Sequence, residues 1–218
     1  MFYEPDKKNH GLAHTPYKSC IVPRPIGWIS TISKDGKINL APYSQFNNLG
    51  FEPGYLCFSG GGQSPDSHIK DSVVNAEETG GFVYNMATYE LREKVSLSAQ
   101  IIDSDIDEMK AVGLTPGKSR FVKSPYILES PINIECVYYT TLTLPGIDFK
   151  TNHHVVIGRV VGVHIKDEYI DSNGKVDILK IRPLARLGYE DYTSIESLFS
   201  MKLNGPSSDF LSYGLHGG

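Results

Sequence analysis

The chain has 218 residues, a formal net charge of -4, and 40% hydrophobic against 21% charged residues. That is the composition of a soluble globular protein with enough chain to bury a core unaided. The acidic balance lacks the basic stripe that nucleic-acid binding needs, and no run of about 18 apolar residues offers a membrane span.

Met1 to His10 is polar, without the apolar stretch of a secretory leader, so a cytoplasmic location is expected. Ile26 to Ser33 is rich in β-branched residues and runs into Lys34-Asp35-Gly36-Lys37. Asp-Gly between two such runs predicts a hairpin, because glycine supplies the positive φ of the turn, with Ile38 to Ala41 as the return strand. Tyr55 to Ser59 and Phe82 to Met86 read as further strands. Ser67 to Glu78 has Ile69, Val73 and Ala76 at helical spacing, with Asp66 or Ser67 as cap. Tyr89 to Gln100 is a second helix behind Thr88, with Leu91, Val95, Ala99 and Ile102 in one stripe. Asp105 to Ala111 is a third, short one.

Ile132 to Leu144 alternates, with Ile132, Ile134, Cys136 and Tyr138 on one face and Asn133 and Glu135 on the other. His154 to Ile165 is a long strand holding Gly158 and Gly162. Val176 to Ile181 reads as a last strand stopped by Pro183, and Asp191 to Phe199 as a last helix. Residues 204–218 lack periodicity and are expected to be loose or laid across a partner. Cys20, Cys57 and Cys136 make no CxxC or zinc pattern and read as free, buried thiols. The pattern predicts one mainly β domain over residues 1–218, a β-barrel with helical insertions.

Four segments can carry chemistry. In Val22 to Ile32, two prolines hold Arg24 in an extended approach suited to an anion, and Ser30 and Thr31 put hydroxyls on opposite strand faces; read alone, the segment favours a surface arginine and ordinary strand hydroxyls. Asn39 to Asn48 combines amides, a hydroxyl and aromatics, as an edge-and-face site for a planar ligand would, or as an Asn-rich turn would. Pro42 and Pro53 are expected to keep part of it out of regular pairing. Lys70, Asp71 and Ser72 stand near a helix start, where a phosphate can bind, or form a solvated face. His153 and His154 are adjacent on a strand and point to opposite faces, so they do not share a metal, and no metal site is expected.

Taken together these segments resemble one family. Pro23-Arg-Pro-Ile-Gly-Trp-Ile-Ser-Thr31, the Asp-Gly hairpin, and Asn39-Leu-Ala-Pro-Tyr-Ser-Gln-Phe-Asn47 are similar to the flavin reductase-like, FMN-binding split-barrel family. Lys70-Asp-Ser72, Asn75, Thr79 to Asn85, and Asn152-His153 followed by Ile157-Gly158 resemble its later segments, within flavoredoxin-type proteins and the reductase components of two-component monooxygenases. The resemblance implies a split β-barrel homodimer binding FMN, with hydride delivered by NADH or NADPH and electrons passed to an oxygenase or other acceptor. An electron carrier, or a flavin-binding protein without turnover, is the alternative. It places Arg24, Ser30, Thr31, Ser44, Gln45, Phe46, Asn47, Lys70, Asp71 and Ser72 at the flavin. Arg186, Tyr189 and Tyr192 would close the pocket, and His153 would be the residue near the nicotinamide. Three positions depart from the pattern: Trp28 is bulky, Ser72 replaces a threonine, and Asn152 replaces an aspartate that would orient His153.

Overall fold

The computed structural model describes residues 1–61, 69–100, 106–147 and 151–201. Its strands and helices in chain order begin with β1 (Arg24–Pro25), β2 (Gly27–Ile32), β3 (Ile38–Tyr43), β4 (Phe46–Phe51) and β5 (Gly54–Gly61). Next come α1 (Asp71–Thr79), β6 (Gly81–Met86), α2 (Arg92–Leu97), α3 (Glu108–Ala111), β7 (Pro116–Gly117) and β8 (Tyr126–Ile127). The chain continues through β9 (Ile132–Leu144), β10 (His153–Ile165), α4 (Ile178–Ile181), β11 (Leu184–Gly188) and β12 (Asp191–Ser194).

Seven strands form an antiparallel sheet in the order β3-β2-β6-β9-β10-β5-β4. Its two edge strands are consecutive in the chain, joined only by Ser44 and Gln45, so the sheet must curl to bring its edges together. Side chains make the closure. The Phe46 ring presses on Gly27, where a Cβ would lie 2.4 Å from the ring. Tyr43 and Phe58 approach with centroids 5.0 Å apart. The result is a split β-barrel.

Around β2 the sheet is covered on both faces, which is why that strand reads as a continuous apolar run. Ile29 faces the barrel interior with Phe58, Phe82, Tyr84, Cys136 and Val156. Trp28 faces the other way, packing with Leu40, Val95, Met109 and Ile127 under α2 and α3. Full burial of such side chains contributes about 1.5–3 kcal/mol each, and the Trp28 indole N–H is satisfied by Ser98 Oγ at 2.9 Å. The bulky choice at position 28 is thus a core anchor.

Several expectations are corrected. Residues 176–181 contain helix α4, because the Asp177 side chain accepts from the Lys180 amide and caps it; Val176 makes only an isolated bridge to Ile170. Residues 191–194 form strand β12, because β11 offers a pairing edge that overrides helical spacing; no regular structure follows over residues 195–200. The helix expected over 89–100 is shorter, since Thr88 bridges Pro183 and the Tyr89 amide donates to Arg182. Pro42 lies inside β3 opposite Trp28, tolerated because β3 is an edge strand. The segment read as a ligand site or an Asn-rich turn ends inside β4, Phe46–Phe51, which is the other edge strand. Cys20 is exposed. Asn133 and Glu135 are buried, because residues 119–127 cover their face. Asp66, Ser67, Ile102, Asp105 and residues 204–218 lie outside the described residues.

Candidate functional site

A cleft of about 610 Å³ opens where the closing corner of the barrel meets the small β1-β11-β12 sheet. Its walls come from the Ser44–Gln45 corner, the β5 end at Ser59 and Gly61, the start of α1 at Lys70, Arg24 with Arg186, Tyr189, and Tyr17, Lys18 and Ile21 of the N-terminal segment. The volume falls in the range of about 300–1,000 Å³ typical of small-molecule sites.

Four cationic residues line it, in two classes. Arg24 donates through Nη1 to the carbonyls of Ile21 at 2.7 Å and Lys18 at 3.0 Å, and reaches Ser44 Oγ through Nε at 3.5 Å. Arg186 donates to the Tyr189 carbonyl and the Tyr192 hydroxyl and lies over the Tyr192 ring. Both guanidiniums therefore build the wall. Among the described residues, the ammonium groups of Lys18 and Lys70 make no hydrogen bond or ion pair. Lys70 is the N-cap of α1, and the first amides of a helix have no partner within it, so cation and helix dipole reinforce one another there. A phosphate or carboxylate suits this corner.

Behind this wall runs a partly buried hydrogen-bond chain with one direction. Tyr43 donates to Ser72 Oγ at 2.9 Å, and Ser72 donates to Asn39 Oδ1 at 2.8 Å. Asn39 Nδ2 and the Leu40 amide both donate to the Glu108 carboxylate. Burial pushes the Tyr43 hydroxyl well above its ordinary value. It also raises Glu108, against the pull of the Leu40 and Asn39 donors. The chain locks the corner of β3 to the start of α1, since Ser72 is the second residue of that helix.

The candidate residues separate accordingly. Arg24, Ser44, Gln45, Lys70, Arg186 and Tyr189 come together in the cleft. Ser30 is fully buried and donates to the Pro125 carbonyl at 2.5 Å. Thr31 is fully buried and accepts from Asn75 Nδ2 at 3.2 Å. Phe46 stacks on Tyr84 with centroids 4.7 Å apart, as part of the barrel closure. Asn47 is exposed on β4, bonded to its neighbour's amide. Asp71 and Ser72 line an adjoining recess of about 150 Å³ that shares Tyr43 and Lys70 with the cleft. His153 is exposed at the start of β10, beside the cleft residue Gly61; a Cβ on that glycine would lie 2.7 Å from the imidazole Nδ1. Tyr192 does not line the cleft; it borders a separate groove of about 840 Å³ with Tyr89, Arg92 and Glu196, and that groove contains none of the other candidates.

Sequence reasoning missed Tyr17 and Lys18, because nothing local says that the N-terminal segment folds back on β11. It missed Glu108, which is separated from Asn39 by 69 residues. Among the described residues no three His, Cys, Asp or Glu side chains gather as a metal set, and no helix is long and apolar enough to cross a membrane.

The comparisons with known proteins agree with this architecture. An uncharacterized protein of Aquifex aeolicus is 40% identical over 172 residues, covering 79% of this chain and 84% of its own. Nitrilotriacetate monooxygenase component B from Bacillus cereus has a similar structure, with TM-score 0.84 and 25% identity over 92% of this chain and 98% of that one. An FMN-binding protein from Thermus thermophilus shares the fold, with TM-score 0.68 and 14% identity over 89% of this chain and 99% of that one. The model of the flavin reductase like domain matches residues 19–180, and the chain belongs to that family.

Proposed function

We propose that the cleft binds FMN, with its phosphate at Lys70 and the first turn of α1 and its polar edge along Ser44 and Gln45. The observation that carries this reading is Lys70: an ammonium without a partner among the described residues, at the start of a nine-residue helix, in the same cleft as five other predicted flavin-site side chains. The Thermus thermophilus relative of the same fold is named for FMN. The described residues fit the group, since the cleft offers one unneutralised cation at a helix start and backbone and amide groups along one wall.

FMN held there by Lys70, Ser44 and Gln45 would supply the redox chemistry, linking NADH or NADPH as hydride donor to an electron acceptor. The chain's own residues bind and orient. Arg24 and Arg186 hold the outer wall, the Glu108 chain fixes the inner one, and His153 at the rim faces the co-substrate. The Bacillus cereus relative is a monooxygenase component, and an oxygenase is the acceptor class this reading favours. The outer face of the main sheet is apolar at Leu142, Val155, Ile157 and Cys57, which suits a homodimer.

Two measurements test the reading. The purified protein should be yellow, or should quench FMN fluorescence on titration; a colourless protein that leaves FMN fluorescence unchanged overturns it. Anaerobic mixing with NADH and NADPH should bleach the flavin absorbance. No bleaching with either overturns the reductase activity and leaves an electron carrier.

A further inference from the structure

The cleft holds a second cation without a partner among the described residues, and the FMN contacts proposed above leave it unused. Lys18 lies in the 3-10 turn Pro16–Ser19, a different element from α1, and its ammonium has no partner among the described residues. Its backbone, by contrast, is held from several directions. The Lys18 carbonyl accepts from Arg24 Nη1 at 3.0 Å. Gly188 packs so closely that a Cβ there would lie 2.6 Å from that carbonyl and 2.2 Å from Ser19 Oγ; its φ of 102° also favours glycine. Tyr189 follows at φ 47°, a conformation costly for a residue with a side chain, and it is kept there by Arg186 at its carbonyl. The Tyr189 hydroxyl returns to the Thr15 carbonyl at 3.2 Å, closing the wall.

This scaffold presents a specific surface. Lys18 shares the cleft lining with Tyr17, 60% exposed, and with Tyr189, 36% exposed and packed against the His14 ring at 5.5 Å. A cation in the company of exposed aromatic rings suits a ligand that is both flat and anionic. A flavin phosphate neutralised at Lys70 leaves the charge of Lys18 unmatched, and two cations carried by separate elements of one cleft suit two anionic groups. We propose that Tyr17, Lys18 and Tyr189 form the co-substrate subsite, with Lys18 binding the diphosphate of the pyridine nucleotide and the tyrosine rings offering it stacking faces. This rests on the flavin reading of the same cleft.

The test uses oxidised NAD and NADP as unreactive probes, titrated by calorimetry into the FMN-loaded full chain. FMN affinity of each variant is measured first by fluorescence. Lys18→Ala should weaken both nucleotides roughly five- to tenfold while FMN affinity stays within about twofold, and Lys18→Arg should restore most of the loss. The salt dependence of nucleotide binding should be shallower in Lys18→Ala than in the parent protein. Tyr17→Leu should weaken the nucleotides without changing that salt dependence. The subsite is overturned if Lys18→Ala binds FMN and both nucleotides as the parent does, or if the FMN-loaded parent binds neither nucleotide. A parallel loss of FMN affinity in Lys18→Ala also overturns it, by placing Lys18 at the flavin phosphate. Failure of the parent protein to bind FMN at all is seen before any nucleotide is added and overturns the flavin reading itself.

Discussion

Arg24 and Arg186 stand opposite one another as register partners of β1 and β11, and each guanidinium is held by the protein's own carbonyls and hydroxyls. Two arginines side by side in an anion-binding cleft would ordinarily be taken for the anion's ligands. Their geometry makes them masonry instead, because a fork whose donors are aimed at backbone carbonyls fixes the chain that carries those carbonyls.

Arg24→Ala therefore acts on residues 15–22 before it acts on any ligand. It removes donors to Lys18, Ile21 and Ser44, at a cost of about 1–3 kcal/mol. Hydrogen exchange followed by mass spectrometry should show peptides from this segment exchanging faster, with a lower Tm. Arg24→Lys should recover little, since a single ammonium cannot serve these directions together. Unchanged exchange in residues 15–22 would show that the wall stands without Arg24.

Lys70 and Ser72, adjacent in the family motif, should behave differently. Lys70→Ala removes a free ammonium from the cleft and should weaken FMN by about tenfold or more, the value of a hydrogen bond to a charged group, with little change in Tm. Ser72→Ala removes a buried hydroxyl bonded to both Tyr43 and Asn39. It should cost about 1–3 kcal/mol of stability and affect FMN less than Lys70→Ala does. Fluorescence titration and urea unfolding of both variants separate the effects; the reverse ranking would place the phosphate on Ser72.

Gly27 is required by the closure of the barrel. A Cβ there would overlap the Phe46 ring at 2.4 Å, and that ring is already stacked on Tyr84. Gly27→Ala should destabilise by about 1–3 kcal/mol or more through overpacking. Combining it with Phe46→Ala should cost less than the two single changes added together, because the clash and the ring disappear as a unit. Additive costs in urea unfolding would show that the contact does not close the barrel.

These cases also show what could be read from the chain. The hairpin at Gly36 and the long strands β9 and β10 were legible because their signals are local: a turn that needs φ of 83°, and alternation over 13 residues. The edge strand β4 and the terminal strand β12 were not legible, because a distant partner makes them strands. The cleft divides the same way. Lys70 and the Ser44–Gln45 corner belong to motifs that sit at the site. Ser30 and Thr31 belong to the same motifs but point into the protein, where Pro125 and Asn75 meet them. Which hydroxyl is free and which is committed depends on contacts between segments tens of residues apart, and no spacing within β2 records that. Lys18 has no motif at all; only the fold-back of the N-terminal segment brings it to the cleft.

Glu135 gives a prediction independent of the flavin. Its carboxylate is fully buried in β9 and accepts from the amides of Arg120 at 2.8 Å, Phe121 at 2.6 Å and Val122 at 3.2 Å, with His164 Nε2 at 2.6 Å. Burial is the largest single influence and pushes its pKa up, but the Arg120 amide, His164 and the Phe121 and Val122 amides together outweigh it and hold the group below its ordinary 4.5. A carboxylate whose folded pKa is depressed adds stability that is fully present above its unfolded value and is lost as pH falls through the folded one. Glu135→Gln replaces an acceptor with a group that also carries donors, facing three amides that can only donate. It should cost about 2–4 kcal/mol at pH ~7. The urea-unfolding curves of the two proteins should then converge as pH falls below about 4.5, where the parent glutamate takes up its proton. An equal gap at low and neutral pH would show that the shape of the side chain, and not its charge, holds residues 120–122 against the sheet.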